Sequence, residues 1–213
     1  MGTLNLGNGA QFTGGSNGFL ADAPSGTIIK SASYYTGTGT NAGTSSSSTT
    51  FFTISINGIG QRIRNMTKVS DHVLGFNKIS NDSHLEINVE FPTYISPGNN
   101  GCGFRVRLSV DNGSNYLYIP DNVLNNTNSS YSSHYSIWST WGLNGYGGNT
   151  ADHLSCRYTT DSYTANADTI RTHTGNVQIY FEARAHSSDT VHFINYLTTW
   201  DKAGYVYVQE IKN

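Results

Sequence analysis

The chain has 213 residues, with 12 Lys+Arg against 14 Asp+Glu and a net charge of -2. That length suits one large domain, or one domain plus a tail, and folding at this size buries roughly 70% of the unfolded surface. No basic stripe is present to neutralise phosphates and no polybasic segment to hold an anionic bilayer, so neither nucleic acid nor a membrane is an expected partner.

Gly, Asn, Thr and Ser number 23, 23, 24 and 25, while Lys numbers 5. Small polar residues favour turns and compete with helices for backbone hydrogen bonds. The 14 Tyr and 9 Phe, with many Val and Ile, favour strands. The composition is all-β and rich in turns.

Residues 1–24 hold six glycines and few apolar anchors (Leu4, Leu6, Phe12, Phe19, Leu20). They read as an extended N-terminal attachment arm that orders on a partner surface. The start, "MGTLNLGNGAQFTGG", has neither a cationic region nor an apolar run, so no signal peptide is expected and synthesis in a cytosol is. Residues 25–213 read as the folded knob.

"GTIIKSASYY" opens the knob as a strand. Thr36 to Thr50 is a low-complexity linker, and "FFTISI" is the next strand. "SDHVLGFNKIS" fits a strand or a connection. In "NDSHLEINVEFP", Leu85, Ile87, Val89 and Phe91 alternate with Glu86, Asn88 and Glu90, the period-two pattern of a strand buried on one face. "GFRVRLSV" repeats the pattern, and a short link suggests that the two strands pair, setting glutamates beside Arg105 and Arg107. Asp111-Asn112-Gly113 is a turn before "YLYIP". Residues 121–133 are a polar loop, "YSIWSTWGL" and "HLSCRYTT" strands, and "SYTANADT" another loop. "GNVQIYFEARAH", "TVHFINYLTTW" and "AGYVYVQEI" complete nine to eleven strands with no helix. This spacing fits an antiparallel β-sandwich, jelly-roll-like in outline. In the last strand Tyr205 and Tyr207 face opposite Val206 and Val208, so both faces carry bulk and an oligomeric interface, most simply threefold, is expected near it.

No chemistry stands out. Glu86 and Glu90 lie four residues apart on a strand, about 13 Å, wider than the ~5–9.5 Å of glycosidase carboxylates. The seven histidines form no ligand-spaced cluster, so no metal or cofactor is expected. "DNGSN" lacks the later residues of a calcium loop and reads as a turn. Cys102 and Cys156 are the only cysteines and read as reduced, buried thiols. The candidate site is a ligand-binding patch of Tyr131, Tyr135, Trp138, Trp141 and Tyr146 among small polar residues, the palette of antibody loops.

The segments "APSGTIIKSASYYTGTGTNAGTSSSSTTFFTISI" and "NDSHLEINVEF", then "THTGNVQIYFEARAHSSDTVHFIN" with the closing "VYVQEI", resemble virion proteins of marine tailed phages, cyanophages especially. The likeness runs over residues 23–211. It implies a fibre, spike or decoration protein of the particle, homotrimeric, held to other virion proteins through residues 1–24. It carries no catalytic residue. With the aromatic patch, the expectation is a non-enzymatic knob that adheres to host surface polysaccharide. The alternatives are a carbohydrate-binding module of a secreted enzyme and a purely structural capsid cement protein.

Overall fold

The computed structural model describes residues 3–6, 10–13, 23–36, 43–45, 52–56, 62–96, 102–119, 137–138, 150–160, 167–185, 190–193 and 204–213. The chain begins with β1 (Thr3–Leu6) and β2 (Ala10–Thr13). Then come β3 (Ile28–Tyr35), β4 (Gly43–Ser45), β5 (Phe52–Thr53), β6 (Arg62–Arg64) and β7 (Thr67–Ser70). The middle holds β8 (Val73–Lys78), β9 (Ser83–Ser96), β10 (Cys102–Ser109), β11 (Leu117–Ile119) and β12 (Ile137–Trp138). The last part holds β13 (Thr150–Thr159), helix α1 (Ala167–Thr172), β14 (Gly175–Ala185), β15 (Thr190–Phe193) and β16 (Tyr205–Lys212).

Two antiparallel sheets of seven strands face each other. Sheet I runs β11-β10-β14-β8-β7, with β12 also on β10 and β5 on β14. Sheet II runs β4-β15-β9-β16-β3-β6, with β13 also on β9. The fold is an all-β sandwich, as the composition and alternation imply. Within residues 1–24, β1 and β2 pair antiparallel with Leu4 opposite Phe12.

Period two holds where it was read. Leu85, Ile87, Val89 and Phe91 are buried on β9, and Phe104, Val106 and Leu108 on β10. The expected β9–β10 pairing does not form. β9 pairs with β13, β15 and β16, and β10 with β11, β12 and β14. The short link between them crosses from one sheet to the other. The two apolar faces therefore meet across the interior: Phe91 lies edge-on to Phe104 (5.9 Å between centroids) and to Phe181 on β14 (5.3 Å). Such T-shaped contacts suit the ring quadrupoles and add to the area buried.

Residues 73–78, ambiguous in sequence, are the strand β8. Gly75 interrupts the apolar run because a Cβ there would come within 2.7 Å of Asn176 Oδ1. Lys78 breaks the alternation further by pointing inward, with 1% of its surface exposed. Helix α1 differs from the expectation of a loop to Thr169 and no helix. It is six residues long and drives one residue, Ile170, into the core. An element that short cannot display a 3.6-residue period.

Candidate functional site

The outer face of sheet II carries an aromatic cluster built by register. Tyr205 on β16 stands opposite Tyr35 on β3 and opposite Glu90 on β9. Tyr207, two residues on and so on the same face, stands opposite Ser33 and Asn88. Their partners in sequence, Val206 and Val208, point inward and are fully buried. The rings of Tyr205 and Tyr207 are nearly parallel (10°) with centroids 6.3 Å apart. Tyr35 packs on Tyr205 at 4.7 Å and keeps 43% of its surface exposed.

The surroundings are polar. Burial pushes the Tyr205 hydroxyl up from its ordinary value, and Tyr35, Tyr207 and Glu90 add to that in turn. It stays neutral as a donor and acceptor across the physiological range. Arg62 on β6 stands opposite Tyr35 and Arg64 opposite Ser33, so the row across the face reads Arg62, Tyr35, Tyr205, Glu90. Asn65 holds that edge in place: it turns the chain at φ 57° and its side-chain amide donates to the Ser31 carbonyl at 3.1 Å. The face thus offers phenol rings, hydroxyls, an amide, guanidinium groups and the Glu90 carboxylate, the equipment for gripping a flat, hydroxylated ligand.

The outer face of sheet I is filled by its own residues. Arg105 Nε donates to Glu182 Oε2, and Arg107 Nε lies 3.1 Å from Glu182 Oε1 without the alignment of a hydrogen bond. The Arg107 guanidinium sits over the rings of Tyr116 (4.1 Å) and Tyr180 (4.5 Å). Glu182 keeps only 4% of its surface exposed under these two arginines. These charges satisfy one another, and the arginines expected to pair with Glu86 and Glu90 are engaged here instead. Glu86 is bound by Arg157 on β13.

Tyr131, Tyr135, Trp141 and Tyr146 of the sequence-derived patch lie outside the described residues. The backbone of Trp138 is placed in β12, opposite Gly103 on sheet I. Tyr35, Tyr205 and Tyr207 were not assembled as a site from sequence. Tyr205 and Tyr207 were visible as bulk on one side of a strand, but Tyr35 lies 170 residues away and joins them only through the β3–β16 register.

Asp111 behaves as the turn reading implies. Its carboxylate accepts from the Asn115 backbone (2.9 Å), the Asn115 side chain (2.6 Å) and Ser109 Oγ (2.8 Å), which hold it down at about 2. Asn112 and Gly113 both take positive φ, the conformation an Asn-Gly turn supplies. Among the described residues no group of three or more His, Cys, Asp or Glu is placed to hold a metal, and no helix is long and apolar enough to cross a membrane.

No family model matches the chain, and no curated protein matches it in sequence. Among solved structures it is similar to the PRD1 vertex protein P5, at a TM-score of 0.36 and 10% identity, over 88% of this chain and 100% of that one. At that level the likeness does not extend to function.

Proposed function

We propose that the chain is a virion structural protein of a tailed phage, displayed on the particle and adhering to host surface glycans without catalysis. The observation that carries the adhesion is the Tyr35–Tyr205–Tyr207 cluster on the outer face of sheet II. Ring faces bear partial negative charge and suit the C–H faces of a sugar, while the flanking hydroxyl and amide groups suit its hydroxyls. The sequence likeness over residues 23–211 supports the particle. Residues 1–24 join the knob to other virion proteins, and three knobs in a homotrimer multiply a weak single contact.

The test is retention of the purified chain on immobilised host-envelope polysaccharide, beside a Tyr205→Ser/Tyr207→Ser variant, with immunogold labelling of intact particles. Retention lost in the variant with the melting temperature kept supports the reading. Labelled particles with no retention favour the cement protein, and unlabelled particles with retention favour a secreted carbohydrate-binding module. One further reading has a specific observation behind it: the same bulk on β16 suits a subunit interface. A variant that falls apart to monomers in sedimentation while its retention per chain is unchanged would assign the face to that role.

A further inference from the structure

Within the adhesion reading, on which this rests, we infer that the polysaccharide held on sheet II is anionic. Carboxylates of its uronic acid units pair with Arg62 and Arg64, while its rings rest against Tyr35, Tyr205 and Tyr207. Two positive charges are left over on this face. Arg105 and Arg107 lie against Glu182, Arg157 binds Glu86, and Arg171 binds Asp168 and Asp82. Each of these guanidiniums holds a carboxylate of the chain. Arg62 and Arg64 are exposed and have no acidic partner among the described residues.

They are also placed to act together. They are two residues apart on β6, so both project on the face that carries Tyr35, and their register partners are Tyr35 and Ser33. Two such side chains lie ~7 Å apart along a strand. The fork of a guanidinium matches a carboxylate with two parallel N–H···O bonds, which favours an acid group over a hydroxyl at this edge. Glu90 stands at the far side of the row, three strands and ~14 Å from Arg62. The face is therefore polar in one direction, cationic at β6 and anionic at β9. A uronate-bearing chain lying across it sets its acid group at the arginines and hydroxyls at Glu90.

The experiment uses two forms of one polymer, alginate and its carboxyl-reduced neutral derivative, with the full chain and two variants. The wild type is expected to bind alginate about tenfold more tightly than the neutral form, with an advantage that fades as salt rises. Arg62→Gln/Arg64→Gln removes that advantage and its salt dependence, so that the variant binds the two polymers equally. Tyr205→Ser/Tyr207→Ser weakens binding to both. Both variants keep the wild-type melting temperature within a few degrees, since the altered side chains lie on the outer face. Equal binding of the two polymers by the wild type overturns the anionic assignment and leaves adhesion standing. Binding of neither polymer overturns both. An arginine variant with an undiminished preference for alginate overturns the roles given to Arg62 and Arg64.

Discussion

Lys78 on β8 and Glu210 on β16 meet across the interior of the sandwich, with Nζ 3.9 Å from Oε1 and both side chains fully buried. The pair ties sheet I to sheet II. Lys78 also donates to the carbonyls of Ser80, Arg171 (2.9 Å) and His173 (3.1 Å), which fixes the end of α1. Glu210 accepts from the backbone of Ile79 and Ser80 and from Ser83 Oγ. With every polar atom partnered, the desolvation of two charges is offset.

Removing one partner exposes that cost. Lys78→Met leaves a buried carboxylate without its cation and takes the lysine donor from the carbonyls of Arg171 and His173. We expect a loss of about 3 kcal/mol in urea unfolding, less than for a bare ion because Glu210 keeps its backbone donors. A loss under ~1 kcal/mol would show that the lysine matters little to the packing of the two sheets.

The same lysine makes stability depend on pH. Burial pushes it down to about 8, against the opposing pull of Glu210, while in the unfolded chain it keeps its proton to about 10.5. Between those values the unfolded chain binds more protons, so this group's contribution rises with pH from 8 to 10.5. Wild-type stability measured relative to Lys78→Met is expected to climb over that window, and a flat difference would count against the depressed value. The comparison cancels the surface tyrosines, which titrate in both chains.

Gly204 is a second junction. Its N–H donates to Thr36 Oγ1 at 2.6 Å and its carbonyl accepts from Thr36 N at 2.8 Å. A Cβ there would lie 2.5 Å from Cδ1 of Phe91, whose ring is wedged against Phe104 and Phe181. The ring cannot yield without disturbing the core, so Gly204→Ala should cost about 3 kcal/mol in denaturant unfolding. Gly26→Ala, with nothing within 4 Å of the added Cβ, should cost less, about 1 kcal/mol, through its positive φ alone. Equal effects at the two sites would contradict the steric account.

The strands that bury one clean face were legible in sequence. Leu85 to Phe91, Phe104 to Leu108 and Val177 to Ala183 alternate without a break, and alternation is a local property. What was not legible is which strand lies beside which. Neighbours in sequence pair often enough that β9 and β10 looked like partners, yet their apolar faces oppose across the sandwich. Lys78 and Glu210 sit at inward positions of two strands 132 residues apart, and neither looks buried until both sheets are in place. The tyrosine cluster was half visible: Tyr205 and Tyr207 announce bulk on an outer face, but bulk there suits a subunit or a ligand equally, and Tyr35 enters only by register.

Tyr34 should show the opposite pH behaviour to Lys78. It is fully buried on β3 and its hydroxyl donates to the Ile56 carbonyl. Burial pushes it up to about 12, with Asp71 adding to the shift. The folded chain therefore holds the proton after the unfolded chain has released its own near 10, and this contribution is lost as pH rises from 10 to 12. Tyr34→Phe should cost about 1–2 kcal/mol at pH 8, for the orphaned carbonyl. That deficit should shrink above pH 10, where the wild type alone must keep a buried phenol protonated. A deficit that stays constant to pH 11 would contradict the raised value.

Ala23 is buried, Thr27 N donates to the Pro24 carbonyl at 3.1 Å, and Gly26 N donates to the Lys212 carbonyl at 2.8 Å. Lys212 N in turn donates to the Thr27 carbonyl at 3.0 Å. The turn at residues 24–27 is thus stitched to the end of β16, next to Glu210 and the Lys78 network. Removing residues 1–22 leaves every one of these bonds, so thermal unfolding by circular dichroism should be unchanged. Removing residues 1–27 cuts them, frees the end of β16 and takes away the buried Ala23, and should lower the melting temperature by roughly 5 °C. If residues 1–24 attach the knob to the particle, the shorter truncation folds normally and yet is missing from assembled virions. A melting temperature that falls as much on losing residues 1–22 as on losing 1–27 would place the β1–β2 hairpin in the folded unit, and the arm would have to be redrawn as part of the domain.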